Sequence, residues 1–108
     1  MSQRTDVTDL TDTPTSTTQT YRTNDGRGYF KFEFVQVGSV YRVYILTGMA
    51  YGSRATDAHA THRYFDSARH LHYICFDPDP RTLRDAYNVA SGWAERTKRY
   101  VESGQSFS

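Results

Sequence analysis

The sequence predicts an α+β domain: a four-stranded antiparallel β-meander packed on one C-terminal α-helix, behind a disordered N-terminal tail. Three observations carry this. Phe30, Phe32 and Phe34 alternate with Tyr29, Lys31, Glu33 and Val35, the period of a half-buried strand. Leu83, Ala86, Tyr87, Ala90, Trp93, Ala94, Thr97 and Val101 recur at i, i+3, i+4 and i+7, the stripe of an amphipathic helix. Residues 1–24 hold only Val7 and Leu10 as aliphatics after Met1.

That last segment is rich in Thr, Ser and Asp, and little in it offsets the entropy of ordering a chain. Residues 1–24 are therefore expected to be a disordered tail, and residues 25–108 a single domain. At 108 residues the chain has room for one core only. Hydrophobic content is 37%, so the core leans on aromatics, nine Tyr and six Phe among them, which bury large apolar area per residue.

The first hairpin is the clearest element. Gly38-Ser39 suits a type II′ turn, and a two-residue loop pairs Val37 with Val40. Phe34 then opposes Val43, and Phe32 opposes Ile45. One face carries Phe30, Phe32, Phe34, Tyr41, Val43 and Ile45, the expected core. The other carries Lys31, Glu33, Val35, Arg42 and Tyr44, the expected wet face.

Thr61 to Phe65 and His70 to Phe76 read as two shorter strands. With Ser67-Ala68 as the loop, Arg63 pairs with His72 and Phe65 with His70. Leu71, Tyr73 and Cys75 would point inward with His62 and Tyr64. His59, Arg63, His70, His72 and Ile74 would point outward. A one-residue slip inverts the whole assignment. Between the hairpins, Thr47 to Ala60 is a long loop, a common location for function.

The helix is expected to begin near Pro80, with Asp79 as cap and Pro80 in the first turn. Lys98 and Arg99 sit near its negative end, and Gly104 is a natural stop.

Net charge is +1, unevenly spread. Arg4 against Asp6, Asp9 and Asp12 makes residues 1–20 net −2, which leaves +3 for the rest. Nearly all the basic residues there are arginine, whose planar fork suits phosphate and carboxylate; a GC-rich genome has the same effect on usage. The single cysteine, Cys75, excludes an internal disulfide framework and reads as a buried thiol. No apolar signal core or membrane-length run is visible, so a cytoplasmic protein away from membranes is expected.

The stretch from Met49 to His72 concentrates the chemistry, with all four histidines, three arginines and two tyrosines. Metal binding is one reading of His59-x-x-His62, but on a strand those rings point to opposite sides. No nucleophile elbow, glycine-rich phosphate loop or paired carboxylates appear, so neither an enzyme nor a cofactor is expected. The leading expectation is a small non-enzymatic module that binds an anionic partner, nucleic acid or nucleotide, on an open sheet face. Arg42, Arg54 and Arg63 would supply charge, Tyr44 and Tyr51 stacking, and His70 and His72 polar contacts. The alternatives are a protein-protein interaction module, including a homo-oligomer, and a metal-binding protein or enzyme built on the histidines.

Overall fold

The first hairpin forms in the register its alternation dictates. In the computed structural model, which describes residues 16–107, strands Tyr29–Val37 (β2) and Val40–Thr47 (β3) pair antiparallel. Val37 opposes Val40, Phe34 opposes Val43 and Phe32 opposes Ile45. Gly38 takes φ +64° at the turn, while Ser39 keeps an ordinary negative φ, as a type II′ turn requires. Phe30, Phe32 and Phe34 are all but inaccessible to solvent.

Five strands form the sheet, not four. Ser16–Arg22 (β1) pairs along its whole length with β2, from Ser16 opposite Val35 to Arg22 opposite Tyr29. The expected disordered tail is thus corrected over residues 16–22; residues 1–15 lie outside the described ones. A Thr-rich segment has strand propensity without apolar residues. The signal that reveals this strand is tertiary: Tyr21 Oη donates to Glu95 of the C-terminal helix, and Tyr87 of that helix donates to Gln19 at 3.0 Å. The carboxylate beside it pushes the Tyr21 phenol up to about 12.

The sheet is also not a meander. Its order is β1-β2-β3-β5-β4, with β4 spanning Arg63–Asp66 and β5 spanning Leu71–Ile74. The chain leaves β3, passes β5's place, forms β4 at the far edge and returns to fill the gap. Because β5 is antiparallel to both neighbours, β4 runs parallel to β3, and the connection must travel back along the sheet. It does so on the helix side: Tyr100 Oη donates to Ala55 O at 2.7 Å, and Trp93 Nε1 donates to Thr61 O at 3.0 Å. A one-turn helix, Ala58–Thr61 (α1), ends this crossover, capped by Asp57 and stopped by His62 in the left-handed region.

The second pair keeps its expected partition into two faces but meets the core the other way up. Arg63 opposes Ile74 and Phe65 opposes His72, two residues from the expected register. Tyr44 opposes Tyr73 across β3 and β5, so Tyr73, Tyr64, Leu71 and Asp66 share the outer face. Ile74, His72, Arg63 and Phe65 belong to the inner one. Inward Leu71, Tyr73 and Tyr64 and outward Arg63, His72 and Ile74 are therefore corrected. Ile74, 6% exposed, joins the core.

The C-terminal helix (α2) spans Leu83–Ser103, three residues later than expected. Thr82, not Asp79, caps it, its hydroxyl accepting from Asp85 N, and Gly104 closes it at φ +80°. Pro80 serves the sheet instead, its carbonyl accepting from Tyr41 N at 2.8 Å. Ala86, Ala90, Trp93, Ala94 and Thr97 of the stripe are buried, whereas Leu83 and Tyr87 at its start are over a third exposed. Phe30 and Phe32 stack on each other and meet the Trp93 indole edge-on at 5.8 and 6.1 Å. Lys98 is buried and pairs with Asp25 and with Glu102, fastening the β1–β2 turn to the helix end. Among the described residues no helix is long and apolar enough to cross a membrane.

Packing outweighs the polar clamp in this arrangement. Phe32→Ala should cost about 3–5 kcal/mol of stability. Tyr21→Phe, which removes one partly exposed hydrogen bond to a carboxylate, should cost about 1 kcal/mol. Urea denaturation of the two variants measures both, and equal losses would contradict this ranking.

Candidate functional site

The structure divides the expected binding residues among three places. Arg42 and Tyr44 lie on the outer sheet face. Tyr51, Arg63 and His72 converge on the opposite side, beside the helix. Arg54 and His70 belong to neither group.

On the outer face the charges are already matched. The Arg42 guanidinium sits 4.2 Å over the Tyr73 ring, and that of Arg69 sits 4.3 Å over Tyr44. Arg69 pairs with Glu33 at 2.6 Å, and Arg42 lies 3.9 Å from Asp66. Tyr44, 4% exposed, donates to the same Asp66 carboxylate at 2.6 Å. That bond above all holds Asp66 below the usual carboxylate range. Two arginines thus meet two carboxylates over buried or partly buried rings. Arg42 and Tyr44, expected as anion contacts, each have a neighbouring carboxylate in Asp66.

Arg54 and His70 have local roles. Arg54 Nε donates to Val101 O at 3.3 Å, and its guanidinium occupies the space above Gly104, which places a cation at the negative end of α2. His70 occupies the turn after β4 at φ +55°, exposed, its ring edge-on to Phe65 at 6.3 Å.

The remaining three residues form a pocket of about 390 Å³. Arg63 comes from β4, His72 from β5 and Ile45 from β3; the crossover adds Gly48 to Tyr51, and α2 adds Trp93. The Arg63 guanidinium lies over the Tyr51 ring, 4.7 Å from its centre, and Nε donates to Thr61 Oγ1 at 3.3 Å. Its terminal nitrogens have no carboxylate within ion-pair distance among the described residues. Burial, then the charge of Arg63, pushes the His72 pKa down. Phe65, 53% exposed, packs edge-on against His72 at 5.0 Å. Burial raises the Tyr51 phenol, against the opposing pull of the Arg63 charge and the neighbouring Thr97 hydroxyl.

A second cleft of about 290 Å³ opens where β3 and β5 splay beyond their two paired positions. It is lined by Arg42, Asp77 and Asp79 as well as apolar residues, so its charge is balanced or negative. The histidines do not converge. His59 and His62 occupy one helical turn rather than a strand, but His62 stacks on Phe107 at 4.6 Å. Among the described residues no group of three or more His, Cys, Asp or Glu side chains could hold a metal ion.

Sequence reasoning missed Arg69, Tyr73, Asp66 and Trp93 as members of these two sites. Only the β3–β5 register joins them, and no local pattern encodes that. Comparison with protein-family models, curated proteins and solved structures finds no match.

The titration of His72 provides a check. Its folded pKa lies below the unfolded value of about 6.5, so its unprotonated form is the one the fold favours. That stability is complete above the unfolded value and is lost as pH falls from there through the lower folded value. Asp66 acts lower, losing its contribution as pH falls through the carboxylate range. Between about pH 7 and 5, urea-unfolding stability should therefore fall less steeply in His72→Gln than in the parent. An unchanged slope would place His72 outside any desolvated pocket.

Proposed function

We propose that the chain is a non-enzymatic binding module for a small anionic ligand, a nucleotide or the terminal nucleotide of a nucleic acid, held in the Arg63 pocket. The single observation that carries this reading is Arg63 itself. It is half-buried, oriented by Tyr51 and Thr61, and has no carboxylate partner among the described residues. A guanidinium fixed through Nε presents its two terminal nitrogens as a fork, the geometry that accepts phosphate in two parallel bonds. Ile45, Met49 and Trp93 supply apolar wall for a planar body. The volume falls within the range of small-ligand pockets and is too small to enclose a duplex. His72 beside the arginine would gain its proton more readily once an anion offsets the Arg63 charge.

Trp93 is the only tryptophan and lines the pocket, so it reports occupancy directly. Titration with adenosine 5′-monophosphate should give a saturable change in Trp93 fluorescence that weakens as salt rises. Arg63→Gln should weaken binding by about tenfold or more, equivalent to about 1.4 kcal/mol. Arg42→Gln should leave it unchanged. No saturable response to the nucleotide, to inorganic phosphate or to a short oligonucleotide, or full binding by Arg63→Gln, would overturn the proposal.

A protein-binding module is the second reading, favoured by the outer face, where Arg42, Tyr64 and Tyr73 expose the residue types that dominate protein interfaces. A nuclease-insensitive, stoichiometric pulldown complex lost in Arg42→Ala plus Tyr64→Ala would identify it.

A further inference from the structure

We propose that the outer edge of β1 pairs with the same strand of a second copy, giving a two-fold dimer with one continuous ten-stranded sheet. The two sheet edges differ sharply. Edge β4 is four residues long and is bracketed by Arg63 and Asp66. Edge β1 is seven residues long, pairs with β2 without a register shift, and contains no Lys, Asp, Glu or Pro. Apart from Arg22 at its end β1 is uncharged, and long, regular edges with so little charge are the ones that recruit another strand, because their outward N–H and C=O groups are unpaired. Among the described residues no strand covers this edge.

The strand is also held ready for pairing. Tyr87 bonds Gln19 and Glu95 accepts from Tyr21, both from the helix side, so β1 is fixed to the body of its own fold along its inner face. Little ordering entropy remains to be lost on association.

The sequence of β1 selects a second copy in antiparallel register. Full pairing of Ser16–Arg22 with itself puts Gln19 on the two-fold axis. Thr18 then faces Thr20 of the other copy, Thr17 faces Tyr21, and Ser16 faces Arg22. Thr–Thr pairs of this kind stabilise antiparallel sheets. Arg22, the one charged residue in the strand, ends up about 20 Å from its symmetry mate, at 3.4 Å per residue. A parallel arrangement would set Arg22 against Arg22. Thr18 and Thr20 are exposed on the outer face, so neither contributes to the protomer core.

Sedimentation equilibrium of the full chain should show twice the chain mass at high concentration, with reversible dissociation on dilution. T18K/T20K places lysine opposite lysine at both symmetric positions and should be monomeric with an unchanged circular-dichroism spectrum. T18K/T20E places lysine opposite glutamate in this register alone and should remain dimeric. Independently of any variant, amide exchange within Thr17–Tyr21 should slow as protein concentration rises. A parent chain that stays monomeric throughout, a T18K/T20K dimer as tight as the parent's, or concentration-independent exchange in β1 would each overturn the proposal.

Discussion

Trp93 is the contact on which the rest of this structure depends. Its indole packs edge-on against Phe30 and Phe32, the centre of the sheet's inner face. Its one polar atom donates to Thr61 O, where the crossover turns into β4. A buried indole N–H needs an acceptor, and here that need ties the helix to the far edge of the sheet. The same ring then forms a wall of the Arg63 pocket. Core, topology and candidate site thus share one side chain, and loss of packing at Trp93 would be felt in all three.

The pocket is a product of topology rather than of a motif. A meander would have carried the chain from β3 straight into its neighbour, and the inner face of the last two strands would have lacked a cover. Because β4 runs parallel to β3, residues 48–62 must return along the sheet, and the helix already occupies part of that face. The crossover settles beside the helix, fastened by Ala55 to Tyr100, Arg54 to Val101 and Thr61 to Trp93. Between that strap and the strands remains a space into which Arg63 and His72 project.

Local pattern made the first hairpin, its register and its core face legible, because alternation and turn chemistry act between near neighbours. The helix stripe was legible for the same reason, though not its start: Pro80 is drawn to Tyr41, which lies far away in sequence. Strand β1 was hidden because a row of threonines has no hydrophobic period, and its hold on the fold comes from helix residues some seventy positions on. For β4 and β5 the sequence separated the two faces correctly. Leu71, Tyr73 and Cys75 look more apolar than His72 and Arg63, which points the wrong face at the core. The pairing of Tyr44 with Tyr73 overrides that preference. Of the candidate site, Tyr51, Arg63 and His72 were legible as residues but not as neighbours.

Residue type alone does not make an anion site; the partners do. Arg42 and Arg69 resemble Arg63 in sequence, and each guanidinium likewise lies over a tyrosine ring. On the outer face, however, each has a carboxylate nearby and is over a third exposed, conditions in which an ion pair contributes at most about 1 kcal/mol. Those pairs mainly fix the tyrosines in place and neutralise the surface. Arg63 is held by a ring face and a hydroxyl, neither of which cancels its charge. Its field is instead felt by His72, whose protonation it opposes. That difference, a guanidinium oriented without being neutralised, is what the proposed anion pocket rests on.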